Sequence, residues 1–234
     1  MRNFKKILIP VFFILLSGNA SSGQDLHSGA VEKFEYLVRY NGMKVGKVEV
    51  EYLSRTGAVK AGQEIISLNS DVRILKLFSL KSREKFYIDA QTYFPRKVER
   101  DLELLGGKEK ILEEYNQKKG LVRMIKTADG STKEELIRQQ PPIHNITALL
   151  FFFPRDVALK EGSSVYFNLP NRRLEMKVVR CKDKTCAAAN KVFLLEAPAK
   201  KIKLWLEGEK RVPLRIEFPS FLGRISISRK TNKL

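Results

Sequence analysis

The sequence predicts a mainly β protein: a curled antiparallel sheet, an open or half barrel of roughly a dozen short strands, with one short apolar helix on its concave side. Three observations carry this. Alternation of apolar and polar residues recurs along the chain. Turn signals separate the alternating runs at hairpin spacing. One Pro-bounded run is apolar at helical spacing instead.

The elements begin after an export signal. Arg2, Lys5 and Lys6 form a positive head, and Ile7 to Leu16 is an apolar run broken only by Pro10. Gly18 and Ala20 fit the small-x-small cleavage pattern, which places the cut after Ala20. A membrane-spanning helix needs ~20 apolar residues, about twice this run. No Cys follows the run, so an acylated lipoprotein anchor is not expected. The sequence thus divides into a signal peptide over 1–20, a leader over 21–30, a single β-rich domain over 31–230 and a tail over 231–234. The expected compartment is the periplasm. No transmembrane segment is expected after cleavage, because the longest later apolar run, Ala148 to Phe153, is core-sized.

Within the domain, Phe34, Tyr36, Val38 and Tyr40 share one face of a strand, and Lys33, Glu35 and Arg39 share the other. Asn41-Gly42 then supplies a hairpin turn, because a type I′ turn needs positive φ at both central residues. The return strand turns Val48, Val50 and Tyr52 inward, with a bulge expected near Gly46 where the parity shifts. Ile66, Leu68, Ser70 and Val72 alternate next. Glu84 to Ile88 is rich in β-formers before Pro95, and Val98, Leu102 and Leu104 precede Gly106-Gly107. Ile111 to Tyr115 and Leu121 to Lys126 pair around Lys118-Lys119-Gly120. Further strands are expected over Val165 to Leu169, Leu174 to Val179, Lys191 to Glu196, Ile202 to Leu206, Leu214 to Phe218 and Arg224 to Ser228. Between Pro141-Pro142 and Pro154, Asn145 stands as a cap, and Ile146, Leu149, Leu150 and Phe153 fall at helical spacing. A two-turn helix is expected there; a buried strand is the alternative.

Composition narrows the function. Hydrophobic residues are 43% and charged residues 30%, a globular balance that excludes disorder. The net charge is +18, and cleavage after Ala20 removes three positive charges and no acid, leaving +15. Such a charge bears on partners rather than on fold. Basic clusters stand at Arg172-Arg173, at Lys200, Lys201 and Lys203, and at Arg229, Lys230 and Lys233. No nucleic-acid motif accompanies them, and export removes the chain from cytoplasmic nucleic acid, so no nucleic-acid partner is expected. An anionic envelope surface or polymer is the partner the charge favours; a general surface bias is the alternative.

The chemistry-bearing residues are few. Cys181 and Cys186 bracket a short loop and, in an oxidising compartment, read as a disulfide, with two free thiols as the alternative. No metal site is expected, because two further ligands are wanting and His27 and His144 lie far off in sequence. His144, beside the expected helix, reads as a solvated or capping residue, since no G-x-S-x-G supplies a nucleophile. Gly106-Gly107-Lys108 lacks the remainder of a phosphate loop and reads as a turn. Asp101 with Glu103, and Glu49 with Glu51, read as solvated strand faces. Asn145-Ile146-Thr147 matches a glycosylation pattern that is common by chance. No enzyme and no cofactor are expected.

In order, Tyr40 to Gly46, Phe86-Tyr87-Ile88-Asp89 through Pro95-Arg96, Pro141-Pro142 with Ile146 to Phe153, Lys203 to Leu206 through Val212 to Ile216, and Phe221-Leu222-Gly223 are similar to the motif series of the bacterial domain of unknown function 3108 family. The resemblance covers roughly 31–229. It departs at Asn145, where an acidic residue is frequent, at Phe151-Phe152, where a Tyr pair is frequent, and at the Cys181–Cys186 loop. It implies an exported envelope protein akin to the periplasmic lipoprotein-carrier half barrel, and it supplies no catalytic residues. The expectation is therefore a non-catalytic envelope protein binding an apolar or lipid-like ligand, or a partner segment, in its curved sheet. Leu149, Leu150, Phe151, Phe152 and Phe153 would line the concave face, with Trp205 and Phe86 as wall residues. The alternative is a scaffold with a packed interior and a basic outer surface that meets an anionic partner.

Overall fold

The structure, a computed structural model, describes residues 31–53, 63–74, 78–154, 157–182, 186, 192–197, 201–208, 210–220 and 223–230. The expected signal, leader and tail, and Phe221-Leu222, lie outside them. Among the described residues the main elements are, in chain order, β1 (Val31–Tyr40), β2 (Met43–Leu53), β3 (Gln63–Ile74), β4 (Phe78–Asp89), β5 (Pro95–Leu104), β6 (Gly107–Asn116), β7 (Leu121–Ala128), β8 (Ser131–Arg138), α1 (Ile146–Phe151), β9 (Ser164–Leu169), β10 (Arg172–Val179), β11 (Val192–Ala197), β12 (Ile202–Glu207), β13 (Pro213–Ser220) and β14 (Gly223–Arg229).

The strands form one antiparallel sheet in the order β8 to β1, then β14 to β9. The chain winds outward by hairpins from β1 to β8. It then crosses to the far edge at β9 and winds back until β14 docks on β1, pairing Tyr36 with Arg229 and Tyr40 with Ile225. The crossover between the two edge strands carries α1. This explains how the helix enters the sheet: the only long connection in the described fold must pass from one edge to the other.

Local sequence sets most of these elements. Asn41 and Gly42 both take positive φ, as the expected turn requires. The β1–β2 register shifts between Val38 and Arg39, which pair with Gly46 and Lys44, so the bulge stands where the parity changed. At the β4–β5 turn, Asp89 accepts from the backbone N–H groups of Gln91 and Thr92 and from the Arg96 guanidinium. These bonds hold its carboxyl down at about 2, against the opposing effect of desolvation. The strand–Asp–Pro-Arg motif is therefore a turn built from side-chain caps.

One strand, β8, is not announced by alternation. Its residues are exposed on both faces except at Ile137, so burial imposes no period on them. The sheet is curled. Inward faces of β1–β7 and β9–β14 join one apolar cluster with Ile143 and the helix. The Gln139 side chain, just past β8, donates to the carbonyl of Leu169 at 2.9 Å, at the end of the opposite edge strand β9. The sheet does not close, and the crossover spans the gap: Ile143 bridges Asn168, and the His144 N–H donates to the Asn168 carbonyl at 2.7 Å.

Candidate functional site

α1 is one and a half turns long, shorter than expected, and its N-cap is Asn145, whose side chain accepts from the N–H groups of Thr147 and Ala148. The Asn145 amide in turn donates to Glu113 at 3.0 Å and to Tyr115 at 3.1 Å. Asn145 is thus buried and fully engaged, so its glycosylation pattern is spent on structure. Leu149, Leu150, Phe151 and Phe153 are each at most 3% exposed, and Phe86 is 1% exposed in the same cluster. Phe151 meets Tyr36 edge-on at 5.5 Å, and Phe153 meets Phe167 edge-on at 5.5 Å. Phe152 differs. It is half-buried, with its ring 5.5 Å from Tyr93 and 6.1 Å from Tyr52. Beyond it, Phe34 stands edge-on to Tyr52 at 5.7 Å. These half-buried rings form an aromatic rim beside the helix.

Trp205 does not join the helix. On β12, Ile202, Leu204 and Leu206 enter the inner cluster, so Trp205 projects from the opposite face by alternation. There it packs under the Arg215 guanidinium, 5.1 Å from its ring centre. It thus stands apart from the helix residues expected to line the concave face. His144 departs from its expected solvated place. It is buried between the rings of Phe94 and Phe167, at 5.3 and 5.0 Å, rather than solvated. Cys181 and Cys186 form a disulfide with Cα atoms 5.9 Å apart.

Two further constellations emerge only in three dimensions. The first is a buried charge network. Arg100 on β5 donates to Glu84 on β4 at 2.9 Å and pairs with Glu113 on β6. Glu113 also accepts from Tyr115 and Asn145, which links the network to the helix cap. Burial pushes the Glu84 carboxyl up to about 6, outweighing the attraction of Arg100, and its Oε1 has no hydrogen-bond partner among the described residues. Burial also opposes the Arg100 charge, but Glu113 and Glu84 outweigh it and the guanidinium is held above its ordinary value. Glu84 shares parity with Phe86 and Ile88, Arg100 with Val98 and Leu102, and Glu113 with Ile111 and Tyr115. A charge at inward parity on three consecutive strands is a signal the sequence contains.

The second is a cleft of about 440 Å³ on the outer face, lined among others by Arg39, Arg215, Glu217, Arg224, Ser226 and Ser228. Register builds it. Arg39 on β1, Ser226 on β14 and Glu217 on β13 are paired in one row; Leu37, Ser228 and Arg215 follow in the next. Two small side chains on the central strand lie between long ones on its neighbours, which leaves a trough floored by hydroxyls. Arg215 pairs with Glu217, and Arg224 lies 3.7 Å from the same carboxylate. Asn41 fixes that end of the trough: its side chain accepts from the Arg224 N–H at 2.8 Å. Arg39 makes no ion pair among the described residues, so three guanidiniums face one carboxylate.

Among the described residues no group of three or more potential ligands could hold a metal ion, and no helix is long and apolar enough to cross a membrane. No family model, no curated protein and no solved structure matches the chain.

Proposed function

We propose that this is a non-catalytic, exported envelope protein of scaffold type, whose interior is filled and whose basic outer face meets an anionic partner. Membership of the domain of unknown function 3108 family and residence in the periplasm belong to the same proposal. The observation that carries it is the enclosure of α1. Leu149, Leu150, Phe151 and Phe153, which an apolar cargo would have to touch, are already buried against the sheet. A buried ion network occupies further interior space beside the helix cap. The outside has the complementary character: a charge of +15 on the chain after cleavage following Ala20 (18 − 3) and an arginine-lined cleft.

Native mass spectrometry of protein recovered from the periplasm tests it. The expected species is the chain alone, beginning at Ser21 or within a few residues. Vesicles containing phosphatidylglycerol should retain it at low salt and release it at high salt, while phosphatidylcholine vesicles should not bind it. A co-purified lipid would overturn the filled interior, and equal binding to both vesicles would overturn the anionic partner.

One observation favours a second reading, an apolar ligand or partner segment held at the rim. Phe152, Tyr52, Tyr93 and Phe34 are half-buried and in mutual ring contact. A bound apolar dye whose signal falls on substitution of Phe152 would support that reading.

A further inference from the structure

We infer that the outer cleft between β1, β14 and β13 is a binding site for a phosphate group. This rests on the basic-face reading and gives it an address. The argument is one of donors. Ser226 and Ser228 line the cleft floor, and among the described residues neither hydroxyl carries a side-chain hydrogen bond. Arg39 brings a guanidinium that no carboxylate of the described residues holds. Arg224, whose side chain is 72% exposed, brings a second that is only loosely paired at 3.7 Å. Arg215 brings a third. Glu217 orients it from one side and Trp205 from below, and its buried Nε–H has no acceptor among the described residues.

Three guanidiniums against one carboxylate leave a surplus of two positive charges. An oxyanion with several acceptor atoms satisfies such a set, and guanidinium forks with hydroxyls match the geometry of a tetrahedral phosphate. A carboxylate offers only two acceptor oxygens to the same donors. At about 440 Å³ the cleft also has room for the group that bears the phosphate, since small-molecule sites run from ~300 Å³ upward. The floor is legible in the register: one serine faces the Arg39–Glu217 row and the other the Arg215 row, so a group seated on β14 is reached from both flanking strands.

Titration with inorganic phosphate and with glycerol phosphate at low ionic strength, read by amide NMR shifts and calorimetry, tests the site. Three variants of the whole chain are compared. Ser226→Val fills the trough without changing charge. Arg39→Gln removes the guanidinium that carries no ion pair. Lys119→Gln removes an exposed charge from the β6–β7 turn. Wild-type protein should bind phosphate with shifts at residues 224–228, Lys119→Gln should match it, and Arg39→Gln and Ser226→Val should each weaken binding about tenfold or more, as loss of one charge-assisted bond implies. Thermal melts of the variants check that they are folded. Phosphate binding that is absent from wild type, or equal in all four proteins, overturns the site. Vesicles distinguish the source of the phosphate. If phosphatidylglycerol vesicles lose affinity for Arg39→Gln and Ser226→Val but not for Lys119→Gln, the group is a lipid headgroup. If only glycerol phosphate discriminates, it is a soluble ester. Vesicle binding that persists in every variant while phosphate fails to bind removes the cleft and leaves the broader basic-face reading standing.

Discussion

A Cβ built on Gly46 would lie 2.2 Å from the carbonyl oxygen of Asp71 and 2.7 Å from the Cα of Val72. These are backbone atoms of the paired strand β3, and they cannot turn aside as a side chain could. Gly46 is therefore required by the close approach of two strands at the bulge. Gly46→Ala should lower stability by about 1–3 kcal/mol, the usual range for overpacking, with the transition read by chemical denaturation. An unchanged midpoint would show that β2 and β3 separate freely there. Arg100 is the second residue whose loss should be severe. Its side chain is 10% exposed between Glu84 and Glu113, at 1% and 5%. Arg100→Ala strands two buried carboxylates and should cost about 3–5 kcal/mol. Glu84→Gln should instead change how stability depends on pH. The folded protein holds this carboxyl at about 6, above the ordinary 4.5, so between those values it binds more protons than the unfolded chain. Its contribution to stability is then favourable at acid pH and is lost as pH rises through about 6. Replacing Glu84 by Gln should flatten that slope, which denaturation midpoints measured from pH 4 to 7 would reveal. A slope identical to wild type would assign the dependence to another group.

At the scale of the element, α1 is too short to be stable alone and is held by what surrounds it. Its N-cap reaches back through Asn145 to Glu113, and the Tyr52 hydroxyl donates to the carbonyl of Phe151 at its C-terminal end. Packing decides which of its aromatics matter. Phe151 is 2% exposed and contacts Tyr36, so Phe151→Ala should leave a cavity and cost about 3–5 kcal/mol. Phe152 is half-buried at the rim, so the same truncation there should cost clearly less. Parallel denaturation of both variants, with and without an apolar probe dye, measures the difference. Equal large losses would place Phe152 in the core and remove the rim as a binding surface.

For the whole molecule, the disulfide and the sheet make separable contributions. Cys181 and Cys186 are five residues apart in sequence, and a loop that short constrains the unfolded chain little. Reduction should cost at most ~2 kcal/mol, and the β-sheet circular dichroism signal should persist. Thiol labelling before and after reduction fixes the redox state for that measurement. Collapse on reduction would mean that the loop holds the β10–β11 connection in place. The stability of the rest follows from the chain folding back on itself: β14 docks on β1, so the first and last of the described strands lie side by side. Most inward-facing apolar side chains then reach one continuous cluster instead of two.

The sequence by itself determined the period. Tyr36, Val38 and Tyr40, or Ile66, Leu68 and Val72, are buried because alternation matches the pleat of a strand, a relation between neighbours two residues apart. The Asn41-Gly42 turn, the Asn145 cap and the Pro-bounded helix are equally local and equally legible. Even the inward charges of Glu84, Arg100 and Glu113 stand in the alternation, though only the β4–β5 and β5–β6 registers set them within reach of one another. Three features were decided by the tertiary structure alone. β8 carries no period, because an edge strand exposed on both faces buries neither. The side on which Trp205 lies follows from which face of β12 curls inward, a property of the whole sheet. The arginine cleft depends on β1, β14 and β13 lying side by side, and β1 is nearly two hundred residues from β14 in the chain. Strand order is fixed by which docking buries the most apolar surface at once, and no local pattern records it.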